Sequence, residues 1–269
     1  MNIWKALLWT LFFQASSIPL ILFFYSFKYV LGIENENLNY FLNFGSFISL
    51  LFGYFIIWWF LVRKNVDFTF EQKDKPNYSL FLIISLIFIG LYFSERPFIN
   101  LYNDLFYNKK IEHKNWPWKE ILKTFTIIDT IQGVLVAPIF EELFFRKFIF
   151  SKMLKKYKVW NSIIFSSLCF ALIHLPNYRQ AIGSFIFGII ACYIFYKTRN
   201  IYYSIFLHFI YNFSYYFLKY FGADFHNYFI SIKYNLTYWL IVTLGITFLI
   251  GGLKLFNKYT KETNLKLET

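Results

Sequence analysis

Charge is scarce in this chain. Of 269 residues, 16% are Asp, Glu, Lys or Arg, against roughly 25% in a soluble domain. Cysteine is scarcer still: Cys169 and Cys192 are the two present, both inside apolar segments. That excludes a disulfide-stapled secreted scaffold and a multi-cysteine metal centre, and the pair reads as buried, inert thiols. Six prolines and 11 glycines are too few for collagen-like or Pro/Gly-rich disordered sequence. Acidic residues are the rarer sign, 15 against 27 Lys and Arg, leaving a formal net charge of +12. In a soluble protein this excess would raise nucleic acid as a partner. Here the basic residues fall mostly between apolar runs, where they act as topology signals, and no nucleic-acid partner is expected.

What the chain has in abundance is apolar and aromatic surface. The AVILMFWYC set makes up 58%, with 38 Phe, 22 Tyr and 8 Trp, against about 45–50% in soluble domains. One core of this size could not hide that much apolar surface from water. The fold class this implies is all-α: a polytopic membrane helical bundle of about eight transmembrane helices. Spans read at roughly 6–31, 40–62, 78–94, 121–145, 159–176, 181–197, 201–220 and 235–253, each long enough, or nearly so, for a hydrocarbon layer of about 30 Å. The first span continues past Pro19 to Val30 without a small-residue cleavage site, so it reads as a retained helix and not a signal peptide. The whole chain, 1–269, reads as one integral membrane domain.

Orientation follows from Lys and Arg. With the N-terminus inside, the cytoplasmic segments collect Lys5, the run Lys152, Lys155, Lys156, Lys158, and the tail Lys254, Lys258, Lys261, Lys266. Both termini are therefore expected in the cytoplasm, although the nominally outer segment 95–120 is also basic. Within that segment Phe98, Leu101, Tyr102, Leu105 and Phe106 recur at helical spacing, which predicts a short helix in the membrane interface. Trp116-Pro117-Trp118 suits a headgroup-level anchor. The tail after Gly252 reads as a fraying end, and Ser184 and Gly188 as a small-residue seam for close helix approach.

An ionisable group inside a span costs about 2.5–3.5 kcal/mol at mid-helix, so it persists with a partner or a task. Three clusters qualify. Glu141-Glu142-Leu143-Phe144-Phe145-Arg146 ends the fourth span. Adjacent helical residues point about 100° apart, so Glu142 can pair with Arg146 one turn on while Glu141 faces elsewhere as a free carboxylate, as a general base requires. Phe170 and His174 share a face of the fifth span, and His208 and Asn212 share a face of the seventh. Taken singly, each has a plainer reading: interfacial charges in water, a packing histidine, an interhelical hydrogen bond. Asp129, also intramembrane, is expected to pair with Lys123 or a neighbouring helix.

The order Glu-Glu-x-x-x-Arg, Phe-x-x-x-His, His-x-x-x-Asn on successive helices resembles the CAAX-protease and bacteriocin-processing family (CPBP, also called Abi), best known for the type II CAAX prenyl endopeptidases. The likeness spans about 121–220, which would be the catalytic core. It implies an intramembrane endopeptidase in which Glu141 is the base, His174 helps activate water, and His208 and Asn212 stabilise the oxyanion. Glu142, Arg146 and Phe170 would support the site. The family is often labelled metalloprotease, and zinc on Glu141, His174 and His208 is the alternative. A metal-free, glutamate-driven hydrolysis is preferred because a ligand role would consume the base, and no His-Glu-x-x-His pair is present.

The alternative to an enzyme is a non-catalytic membrane immunity or scaffold protein. A transporter is disfavoured by the lack of paired broken helices. The Lys, Asn, Ile, Phe and Tyr bias fits an AT-rich bacterial genome. The expected location is thus a bacterial cell membrane, and the expected substrate is a small leader, bacteriocin or signalling peptide or a membrane protein, with the bilayer as the other partner. Nothing in the sequence signals an oligomeric state.

Overall fold

The computed structural model describes residues 1–31, 36–59, 63, 77–106 and 113–267. The end of the second span at 60–62 and the basic residues Lys64, Lys73, Lys75, Lys109 and Lys110 lie outside them. The protein is 87% helical, and no strand occurs among the described residues. Its helices are α1 (Ile3–Ala15), α2 (Ile18–Leu31), α3 (Glu36–Ile57), α4 (Tyr78–Ser94), α5 (Arg96–Phe106), α6 (Trp118–Ile121), α7 (Thr124–Ile131), α8 (Ala137–Glu142), α9 (Ser151–Leu154), α10 (Val159–Leu172), α11 (Tyr178–Thr198), α12 (Ile201–Phe221), α13 (Ala223–Ser231) and α14 (Leu236–Leu267). Between α7 and α9 the chain stays helical but widens into π turns at Gln132–Val136 and Leu143–Phe150.

Four helical stretches are long and apolar enough to cross a bilayer: Ile3–Phe27, Tyr78–Phe106, Tyr178–Thr198 and Leu236–Thr260, with shorter apolar helices at Phe44–Ile57 and Val159–Leu172. The polytopic helical bundle expected from composition is present, and Tyr78–Ser94 reproduces the third span. Two expectations need correction. The first span is two helices, broken at Ser16-Ser17: Pro19 has no N–H to give the Ala15 carbonyl, and the Ser16 hydroxyl donates to the Phe13 carbonyl (2.7 Å). The tail does not fray after Gly252: helical backbone continues to Leu267.

Asparagine sets several helix starts. Asn2, Asn77, Asn177 and Asn200 each accept a backbone N–H of the first turn of α1, α4, α11 and α12, supplying the acceptor those orphan donors need. The core is aromatic: Phe144, Phe145, Phe148, Phe170, Phe187 and Leu207 are buried together. The small-residue seam at Gly188 is real. A Cβ there would lie 3.0 Å from Ser167 Cβ, so α11 and α10 meet at close range. Helices α4 and α14 meet closer still, where a Cβ on Gly90 would fall 2.3 Å from the Leu249 backbone nitrogen. The helix expected over Phe98–Phe106 is present within α5, with Phe98, Leu101, Leu105 and Phe106 exposed. The Trp116 N–H donates to the Tyr220 carbonyl (3.0 Å), tying the Trp-Pro-Trp segment to the end of α12. Asp129 approaches Lys219 of α12 at 3.8 Å, while Lys123 pairs with Glu120.

Gly90→Ala should therefore force α4 and α14 apart and cost about 1–3 kcal/mol. Gly251→Ala, which would meet nothing within 4 Å, should be neutral or mildly stabilising. Thermal unfolding of both variants in detergent checks the contrast.

A second prediction concerns pH. His113 and His226 stack at 4.8 Å, where Asn227 holds the backbone of His113 at both its N–H and its carbonyl. Burial, then the neighbouring His113, Arg96 and Arg179, lower the His226 pKa to about 4. The undocked ring, with its ordinary value near 6.5, takes up a proton first. Docking is thus fully favoured above about pH 6.5 and weakens as pH falls towards 4. Amide exchange at His113 and Trp116, corrected for intrinsic rates, should accelerate over that window and stay flat in His226→Phe.

Candidate active site

The site is built around a buried ion pair. Glu142 and Arg146, both without solvent exposure, lie at 3.0 Å (Oε2 to Nε), joined across the turn where α8 widens. The guanidinium N–H is not aimed at the oxygen, and none of the three guanidinium nitrogens makes a hydrogen bond among the described residues. The cation instead lies over the Phe170 ring, 4.3 Å from its centroid, and 5.6 Å from that of Phe187. Ring quadrupoles stabilise a desolvated guanidinium in this arrangement.

Both site histidines gather on the same ring. Phe170 contacts His174 at 5.0 Å and His208 at 5.7 Å, each edge to face. Acceptor chemistry fixes their tautomers. The His174 Nδ1 lies 2.9 Å from the Phe170 carbonyl. The His208 Nδ1 lies 2.9 Å from Glu142 Oε1. A carbonyl and a paired carboxylate only accept, so Nδ1 carries the proton in both rings. His174 then keeps a bare Nε2. His208 turns its Nε2 towards Glu141 Oε2 at 3.9 Å. His174 also lies within electrostatic reach of Glu141, His208 and Arg146.

Glu141 is nearly buried, at 8% exposure. Its Oε1 accepts the Tyr54 hydroxyl of α3 at 3.2 Å, which leaves Oε2 free on the histidine side. Tyr54 is itself stacked on Phe140 (5.1 Å, 5° between planes). The sequence offered no signal for Tyr54, one of 22 tyrosines and outside the three motifs.

Six of the seven residues singled out from sequence thus assemble: Glu141, Glu142, Arg146, Phe170, His174 and His208. Asn212 is one turn along α12 from His208, but its Nδ2 donates to the Gly133 carbonyl at 2.7 Å. The local sequence explains this bond. In the π turn the Ala137 N–H goes to Gln132, and the next residue, Pro138, has no N–H to offer. Gly133 is left with an orphan carbonyl, and Asn212 supplies the missing donor. Glycine at 133 also lets α12 come close, since a Cβ there would sit 2.5 Å from the Tyr216 ring.

Among the described residues no group of three His, Cys, Asp or Glu side chains is placed to hold a metal ion.

Residues 123–214 match the family profile described as type II CAAX prenyl endopeptidase Rce1-like. No curated protein and no solved structure matches the chain. The matched segment, about a third of the chain, contains every motif residue of the site and is similar to that family. Its long apolar helices mark the chain as an integral membrane protein.

The Gly133 bond makes a testable claim. Asn212→Leu should destabilise the fold by about 1–3 kcal/mol, the cost of a buried unsatisfied carbonyl. Pro138→Ala restores a helical N–H, so the double variant should recover most of that loss. A thermodynamic cycle showing additive effects would refute the link.

Proposed function

We propose that this protein is an intramembrane endopeptidase that hydrolyses a peptide bond of a membrane-associated peptide or protein with water activated by Glu141 and His174. The observation that supports this best is the division of labour between the adjacent carboxylates. Glu142 is spent on Arg146 and His208, whereas Glu141 keeps one oxygen free beside both histidines. A base needs that freedom, and its neighbours need the rigidity.

In the proposed reaction, a water between Glu141 Oε2 and the bare His174 Nε2 gives its proton to the carboxylate as its oxygen bonds the scissile carbonyl carbon. The resulting oxyanion is stabilised by N–H donors. In this scheme His208 donates from Nε2 with both ring nitrogens protonated. Asn212 contributes the amide N–H not used on Gly133. Glu141 then passes the proton to the departing nitrogen, the C–N bond breaks, and an amine and a carboxylic acid leave, the acid giving up its proton to solvent. Tyr54 holds Glu141 in place and Phe170 carries the cationic edge of the site. No metal ion takes part in this scheme. The proposed setting is a bacterial cell membrane, with both termini cytoplasmic, one membrane domain over 1–269 and its core at 121–220. The substrate class is a leader, bacteriocin or signalling peptide, in maturation or self-immunity.

Peptide termini in membranes expressing the wild type should include cleavages absent with Glu141→Gln or His174→Ala, each of which should lower turnover by about 10²–10⁴-fold without unfolding the protein. Tyr54→Phe should lower it by about tenfold with little change in KM. Chelator should leave the wild type active, with no zinc in the purified protein. Near-normal cleavage by Glu141→Gln, or host protection that survives it, would instead support the non-catalytic immunity role. Loss of activity to chelator that zinc restores would overturn the metal-free scheme.

A further inference from the structure

A second buried carboxylate lies outside the motif cluster. Glu95 sits at the junction of α4 and α5 and is 5% exposed. Both its oxygens take a single donor, the Tyr211 hydroxyl, at 2.8 and 2.9 Å. Among the described residues no cation lies within ion-pair distance of it. The neighbouring Arg96 turns away, onto the Tyr92 ring at 3.9 Å. Glu95 nevertheless lines a shallow cleft that is open to the outside, with enclosed room for about one water or one ammonium group, beside Phe98, Ile99, Arg179, Ile182 and Gly183.

Arg179, in the first turn of α11, is exposed on the other side of that cleft. It is within electrostatic reach of Glu95 yet forms no ion pair with it. The cleft therefore has one negative wall, one positive wall and an apolar floor. A buried charge is normally paired, so a ligand that supplies a cation to Glu95 and an anion to Arg179 completes both walls at once. Gly183 keeps the carboxylate reachable, since a Cβ there would lie 3.8 Å from Glu95 Oε2 and 3.6 Å from the Tyr211 hydroxyl.

The position of the cleft selects among zwitterions. The 17 residues of α4 rise about 25 Å at 1.5 Å each, nearly the thickness of the hydrocarbon layer. Glu95 is thus at the level where headgroups lie. From there α5 runs on with Phe98, Leu101 and Leu105 exposed, and Ile182 is exposed on α11, apolar surface of the kind that acyl chains cover. We infer that this cleft is a binding site for a zwitterionic phospholipid of the phosphoethanolamine type, its ammonium on Glu95, its phosphate on Arg179 and its chains along α5 and α11. A primary ammonium suits Glu95 because it donates hydrogen bonds as well as charge. The site holds whether or not the protein cleaves peptides. It also adjoins the site described above, because Tyr211 contacts Phe187 at 5.3 Å, and Phe187 contacts His208 at 4.9 Å.

The test is native mass spectrometry of the full chain released from detergent carrying equal amounts of phosphatidylethanolamine and phosphatidylglycerol. The wild type should retain the ethanolamine lipid over the glycerol lipid by about tenfold, one charge-assisted hydrogen bond's worth of discrimination. Glu95→Gln, which keeps the shape and the Tyr211 contact, should abolish that preference. Arg179→Gln, a change at an exposed position, should lower retention of both lipids. Glycerophosphoethanolamine, the same headgroup without chains, should displace nothing at equal concentration. Equal retention of the two lipids by the wild type, or a preference unchanged in Glu95→Gln, would overturn the proposal. Displacement by the chain-free headgroup would assign the cleft to a soluble phosphoethanolamine compound and overturn the lipid assignment.

Discussion

The pairing of Glu142 with Arg146 inside the bundle is the interaction on which the rest of the site depends. Both side chains are fully buried, so neither could stay charged there alone. Their union is not a well-formed hydrogen-bonded bridge, and it is completed from outside the pair. His208 donates to the second Glu142 oxygen, and the Phe170 ring faces the guanidinium. Three helical segments, carrying the Glu-Glu-x-x-x-Arg, Phe-x-x-x-His and His-x-x-x-Asn motifs, are thereby bound to one desolvated charge pair. Removing either partner would leave the other uncompensated, at about 3–5 kcal/mol. This explains why a carboxylate that touches no water-facing surface still matters to one that could do chemistry.

The same pair separates the roles of two identical residues. Glu141 and Glu142 are neighbours, but helix geometry sends them to different surroundings. One is neutralised within the protein. The other meets a tyrosine hydroxyl on one oxygen and turns its second oxygen towards His208. The π turns on either side of Glu141-Glu142 serve this arrangement. The first leaves the Gly133 carbonyl to Asn212, anchoring α12 one turn from His208. In the second, the Phe145 carbonyl accepts the Ser166 hydroxyl at 2.9 Å, anchoring α10. Wide turns of this kind recur at functional sites, and here each fastens a motif-bearing helix to the carboxylate helix.

Much of this was legible in the sequence because spacing carries it. The i, i+4 relations of Glu142 with Arg146, Phe170 with His174, and His208 with Asn212 place side chains on shared faces whatever the packing, and all of those residues but Asn212 meet in the site. Membrane spans were legible from apolar runs alone, as at Tyr78–Ser94. The break at Ser16-Ser17 was not legible from hydropathy, since it turns on the backbone N–H that Pro19 lacks. Tyr54 and Glu95 were missed for a different reason: each gains its meaning from a partner in a distant helix, and no local pattern marks that encounter. Asn212 shows the limit from the other side. Its face was read correctly, but its first partner is set by Pro138 and a π turn, which periodicity of 3.6 does not anticipate.

The most direct measurement of the central claim is the protonation pattern of the two imidazoles, read by nitrogen NMR of ¹⁵N-histidine-labelled protein in bilayers. The account predicts a protonated Nδ1 on both rings, that of His208 hydrogen-bonded to a carboxylate and losing that signature in Glu142→Gln, and a bare Nε2 on His174. A His208 with unprotonated Nδ1, or one indifferent to Glu142→Gln, would contradict the charge pair as the organiser of the site.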